Sequence, residues 1–157
     1  MKIFFTAILF LSFCLTATAQ IDFDNPPWET GCDSLTTQTE MNICSAEKLD
    51  IADSILNLYY NKLIIYVDSE YINELKTSED TTDNFERKYL NQLKGQKEAI
   101  IQSKADFEEF LNSTTDIIDY QYKGGSMNPL AVNTYALNLT VNQIKVLIDL
   151  MEEIIGE

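Results

Sequence analysis

The 157-residue chain carries 25 Asp and Glu against 11 Lys and Arg, a formal net charge of −14, and no histidine. A field of that sign repels nucleic acid and anionic membrane surfaces and attracts cationic partners, while the lack of histidine removes the commonest general base and the commonest zinc ligand. The length bounds one domain with a modest core.

Residues 1–19 combine a basic start at Lys2, an apolar run from Ile3 to Leu15, and Ala17-Thr18-Ala19 as a small-residue cleavage site. They read as an export leader, with a single helical domain, 20–157, beginning at Gln20. Phe13 is too bulky for the position before a lipidated Cys14, which argues against a lipoprotein leader. The leader holds one basic residue and no acid, so the remainder carries 10 basic against 25 acidic side chains, a net charge of −15. No later stretch approaches the ~20 apolar residues of a membrane span. Removing the leader leaves Cys32 and Cys44, an even number in an oxidising compartment, periplasmic or extracellular.

From Ile21 to Gly31 the sequence, with Pro26, Pro27 and Trp28, predicts an extended lead-in whose Trp28 packs on the bundle. Thr37 and Glu40 then have the spacing of a capping box, in which hydroxyl and carboxylate each satisfy the other residue's amide. A first helix therefore starts near Gln38. Cys44 lies inside it and Cys32 in the lead-in, so a bridge between them folds the lead-in back along the helix. Met41, Cys44, Ala52, Ile55, Tyr59, Leu63 and Tyr66 mark its inner face.

Asp68 to Thr82 is charged and rich in Ser and Thr, and predicts a mobile connection, with room for a short fourth helix around Tyr71–Leu75. Its exposed acids Glu70, Glu74, Glu79 and Asp80 are candidate contacts for a cationic partner. A second helix begins near Asp83, with a stripe at Tyr89, Leu93, Gln96, Ile100, Ser103, Phe107, Phe110, Thr114 and Ile117. Gln96 and Ser103 interrupt it and need hydrogen-bond partners if buried. Gly124-Gly125 permits a tight reversal, Asn128 is a candidate cap, and Pro129 suits the first helical position. Leu130, Leu137, Val141, Ile144, Ile148, Met151 and Ile155 line the third helix. The expected fold is all-α: a small antiparallel bundle of three long helices, clipped near its N-terminus.

Catalytic chemistry finds little support. Glu108-Glu109 and Glu152-Glu153 are adjacent on helices, where neighbours diverge by about 100°, so neither pair converges on a metal or a substrate. Gly124-Gly125-Ser126 lacks the Gly-x-x-x-x-Gly-Lys pattern of a phosphate loop. No enzyme activity, metal or cofactor is expected.

Cys32, Thr37, Gln38, Glu40, Met41, Asn42 and Cys44, then Ser45-Ala46, followed by Ala52-Asp53 and Leu56-Asn57, resemble the N-terminal signature of the LprI-like lysozyme inhibitor family. The resemblance resumes at Leu93 to Gln96, at the turn Gly124, Gly125, Ser126 and Pro129, and at Leu139-Thr140. It implies a small helical envelope protein with a Cys32–Cys44 disulfide and a protein partner, lysozyme, an enzyme that is typically cationic with an acid-lined cleft. The chain departs from the family pattern where Ala99, Ser103 and Lys104 replace a Trp and an Arg-Asp pair. A second cysteine pair is also missing, at Phe107 and at Tyr135 or Ala136, where an aromatic contact is expected instead. A non-catalytic envelope binding, assembly or immunity-type module that never meets lysozyme is the alternative reading.

Overall fold

A computed structural model describes residues 21–29, 31–32, 34–77 and 84–156. The leader, Glu79, Asp80 and Asp83 lie outside the described residues. Three helices follow one another, α1 (Gln38–Thr77), α2 (Asn84–Tyr122) and α3 (Asn128–Ile155), with no strand among the described residues. They pack as an antiparallel bundle in which each helix touches the other two. At 1.5 Å per residue the 40-residue α1 is about 60 Å long.

The box at the start of α1 forms as expected. Thr37 N–H donates to Glu40 Oε2 at 3.2 Å, Glu40 N–H donates to Thr37 Oγ1 at 3.2 Å, and the Thr37 hydroxyl donates to Glu40 Oε2 at 2.7 Å. Cys32 and Cys44 are bridged, their Cα atoms 6.1 Å apart. The lead-in ahead of them is fixed by Trp28, only 4% exposed in the core, with the Phe23 ring edge-on to it at 6.0 Å between centroids.

The core runs along Ala52, Leu56, Tyr59, Tyr60, Leu63 and Val67 of α1, meeting Leu93 and Ile100 of α2 and Ile144, Leu147 and Met151 of α3. Tyr60 joins all three helices: its hydroxyl accepts from Gln143 Nε2 at 2.9 Å and donates to the Ser103 carbonyl at 3.4 Å. Thr140, fully buried, donates from Oγ1 to Asp53 Oδ1 at 3.2 Å.

Three expectations are corrected. The connection after Asp68 is not a loop with a separate short helix, because α1 continues unbroken through Tyr71–Leu75 to Thr77. No proline or glycine interrupts this stretch, and nothing else in it stops a helix already propagating. The α2 stripe is half right: Leu93 and Ile100 are buried and Phe107 packs against the core, but Gln96, Ser103, Phe110 and Ile117 are exposed. The half-buried positions alternating with Leu93, Ile100 and Phe107 are Lys97, Lys104 and Leu111, each one residue further along. Lysine stems cover apolar surface while the ammonium reaches water. Lys97 Nζ does so on to both carboxylate oxygens of Asp68 in α1, at 2.8 and 2.7 Å. Finally, no ring contact joins Phe107 to Tyr135. Phe107 packs on the core, Ala136 is buried and Tyr135 is exposed.

Candidate functional site

One end of the bundle gathers residues from three separated segments. The start of α1, the α2–α3 turn and the first turns of α3 meet there, beside the Cys32–Cys44 bridge. Gln38 Nε2 donates to Asn42 Oδ1 at 2.9 Å, and Asn42 Nδ2 donates across to the Ser126 carbonyl at 3.1 Å. Behind them, Ser45 Oγ donates to the Asn42 carbonyl at 2.8 Å and accepts from Asn133 Nδ2 of α3 at 3.0 Å. Ser45 is buried, so this network replaces the water that its hydroxyl loses on folding.

The turn itself is built by two glycines with different duties. Gly124 takes φ 80°, which side chains resist, whereas a Cβ on Gly125 would meet the Tyr122 carbonyl at 3.2 Å. The close approach allows Gly125 N–H to donate to that carbonyl at 2.9 Å, and Asn128 N–H to donate to the Gly125 carbonyl at 3.2 Å. Asn128 is not the cap: Met127 holds that position without a side-chain bond. The Asn128 amide instead turns back to α2, donating from Nδ2 to Asp119 Oδ1 at 2.7 Å. It locks the turn from the other side.

The outcome is an ordered projection. Residues 121–127 are all exposed, and the Lys123 ammonium lies 5.0 Å from the centre of the Tyr120 ring. Two clefts flank the start of α3 and share Leu130 and Thr134. One, about 270 Å³, lies against α1 beside Cys32, Met41 and Lys48; the other, about 310 Å³, lies against α2 beneath Tyr122, Met127 and Tyr135.

The Thr37 hydroxyl and then the Thr37 amide hold the Glu40 carboxyl below its ordinary range. Glu40 thus serves as a cap. Further up α1, burial pushes the Asp53 carboxyl upward, only partly offset by the Thr140 hydrogen bond. Among the described residues no cluster of His, Cys, Asp and Glu is placed to hold a metal, and no helix is long and apolar enough to cross a membrane.

Of the motif residues, Thr37, Gln38, Glu40, Met41, Asn42, Gly124, Gly125 and Ser126 therefore share one end. Gln96 does not: it is exposed on α2, about 39 Å along the helix from Tyr122. Glu70 and Glu74 are at the far end of α1, half-buried on an ordered helix rather than exposed on a mobile loop. Sequence reasoning had Ser45 only as a motif residue after Cys44 and missed Asn133, because their link is visible only once α1 and α3 are paired. Ser45 does lie seven residues before Ala52, on the same inward line.

A small disulfide-clipped three-helix bundle with a tethered glycine turn at one end is thus the class that fold and site define. The chain belongs to the lysozyme inhibitor LprI family, whose model matches residues 32–147. That span includes the bridge, the whole motif end and most of α3. Neither the curated proteins nor the solved structures return a match.

Proposed function

We propose that the chain is exported after removal of residues 1–19 and binds lysozyme, blocking its cleft with the α2–α3 turn. The observation that carries this reading is the family match over residues 32–147. Lysozyme works through two carboxylates flanking the scissile bond. The projecting Lys123 is a cation suited to such a cleft, and the tethers through Asn42 and Asn128 hold the turn ready, which lowers the ordering cost of binding. The net charge of −15 left after removal of the leader acts earlier, drawing in a cationic enzyme over long range. Glu70 and Glu74, at the pole remote from the turn, contribute to that field, and together with Glu79 and Asp80, which lie outside the described residues, they are the second candidate contact.

Inhibition assays against several lysozyme classes test the proposal. Inhibition is expected to weaken when Lys123 becomes Glu, while replacing Glu70 and Glu74 by Gln is expected to slow association without abolishing inhibition. The absence of Trp, Arg and Asp at Ala99, Ser103 and Lys104 favours the second reading, a non-catalytic envelope or immunity-type module. Unaffected lysozyme activity at large excess and low salt selects that reading.

A further inference from the structure

Helix α1 is apolar on two opposite sides. Its inner side is the core line of Leu56, Tyr60, Leu63 and Val67. At 100° per residue, Leu58, Ile65 and Ile72 fall within about 40° of one another on the opposite side. They are 51%, 67% and 48% exposed. Ile51 continues the same seven-residue spacing toward the N-terminus, but it is half-buried and already packs in part against the core, so the free strip is widest at Leu58, Ile65 and Ile72. Four residues before Ile51 stands Glu47, and four residues after Ile72 stands Lys76, both exposed. Among the described residues neither has an ion-pair partner. A helix that is apolar all round is ordinarily covered on both sides, and here α2 and α3 cover only one.

The order of these residues is self-complementary. Turn a second α1 end for end about the midpoint between Asn61 and Lys62, and Leu58 faces Ile65, Ile51 faces Ile72, and Glu47 faces Lys76, each twice. Parallel pairing would instead set Glu47 against Glu47 and Lys76 against Lys76. We propose that the outer face of α1 is a homodimer interface, in which two copies pair antiparallel about the 61–62 midpoint. The contact is isologous, so it closes after two copies and propagates no further.

Its size predicts a reversible association. From Glu47 to Lys76 the strip is about 44 Å long and about 10 Å wide, or about 400 Å² per copy. A standard stable interface buries about 800 Å² per partner. At about half the standard area the contact belongs with weak, transient interfaces, so association is expected only at high protein concentration. Two mature copies, each of net charge −15, also repel each other. Screening removes that repulsion, so the dimer strengthens as salt rises. Attraction to a cationic protein weakens over the same range.

Sedimentation equilibrium on the mature chain tests the proposal, from about 5 to about 500 µM at low and high salt. A monomer–dimer equilibrium that shifts toward dimer with salt is expected. Ile65→Glu, at a position 67% exposed and outside the core, should weaken it by at least about tenfold, since it acts twice per dimer, with helicity and melting temperature unchanged. Carbodiimide should join Glu47 to Lys76, a link that cannot arise within one rigid helix whose two residues stand about 44 Å apart. E47K should weaken the dimer and E47K with K76E should restore it. A chain that stays monomeric at high salt and high concentration overturns the proposal, as does a dimer indifferent to Ile65→Glu or cross-linked Glu47 to another site.

Discussion

Replacing Cys32 and Cys44 together by serine tests how much of the bundle depends on the clip. The bridge spans 12 positions, and closing a loop of that length in the unfolded chain is worth about 3 kcal/mol in the chain-entropy model. Each kcal/mol moves the melting temperature of a domain this size by roughly 3–6 °C, so a fall of about 10 °C or more is expected. Helical content at room temperature should persist, because the long core from Ala52 to Val67 lies beyond the clipped segment and is built from packed apolar side chains.

Trp28 supplies an independent probe, being the sole tryptophan of the chain and 4% exposed. If the lead-in is held by its own packing as well as by the bridge, Trp28 emission in the serine variant stays that of a buried indole until the helices melt. Circular dichroism and fluorescence transitions then coincide, the mark of a single cooperative unit. Three results refute the reasoning. One is two free thiols in natively purified wild-type protein. Another is an unchanged melting temperature in the variant. The third is collapse of helicity at room temperature, which would make the clip a condition of folding rather than an entropic constraint.

Tyr60→Phe removes the hydroxyl shared by Gln143 and Ser103 and should cost about 1–2 kcal/mol in denaturant unfolding; adding Gln143→Ala should cost less on top of Tyr60→Phe than in wild type, and strict additivity would reject the link. Asp53→Asn should stabilise the protein at neutral pH. Burial raises the folded-state value of Asp53 above the ordinary 3.8, so its favourable contribution is complete below that value and is lost as pH rises through the folded value. The benefit of the substitution should therefore vanish in acid, and a benefit equal at pH 3 and pH 7 would contradict the assignment. Association with lysozyme should slow about tenfold or more from low to high salt, with a smaller change in dissociation; stopped-flow measurement showing a salt-independent on-rate would remove steering from the account.

The parts of this fold legible in the sequence are those specified by residues acting on their near neighbours. Thr37 and Glu40 set where α1 begins, Gly124 and Gly125 set the reversal, and Pro129 starts α3. The inner line of α2 was legible only at every other position. Gln96 and Lys97 are both polar, and what selects Lys97 for the seam is Asp68, a residue 29 positions away in sequence that meets it only after α1 and α2 have paired. The length of α1 was obscured for a related reason. Ser and Thr weaken a helix by competing for its backbone, yet Ser69 and Thr77 here bond back to carbonyls of their own helix. The turn-tethering role of Asn42 was likewise unreadable, since its partner is a carbonyl 84 positions away.

The two proposed surfaces occupy different parts of the molecule, and their geometry makes them compatible. In an antiparallel pair centred between residues 61 and 62, the two Asn42 ends stand about 58 Å apart along the shared axis. Each glycine turn then points away from its partner copy, and a partner docked at one pole leaves the other open. A parallel pair would place both turns side by side, in each other's way. Dimerisation by the α1 face should thus neither create nor block the inhibitory site, so the Ile65→Glu variant should inhibit lysozyme as well per chain as the wild type. At concentrations where the wild type is dimeric, titration calorimetry should give one enzyme bound per chain, two per dimer. A stoichiometry of one enzyme per dimer would mean that the two turns share a pole, and the antiparallel arrangement would be wrong even if the dimer itself is real.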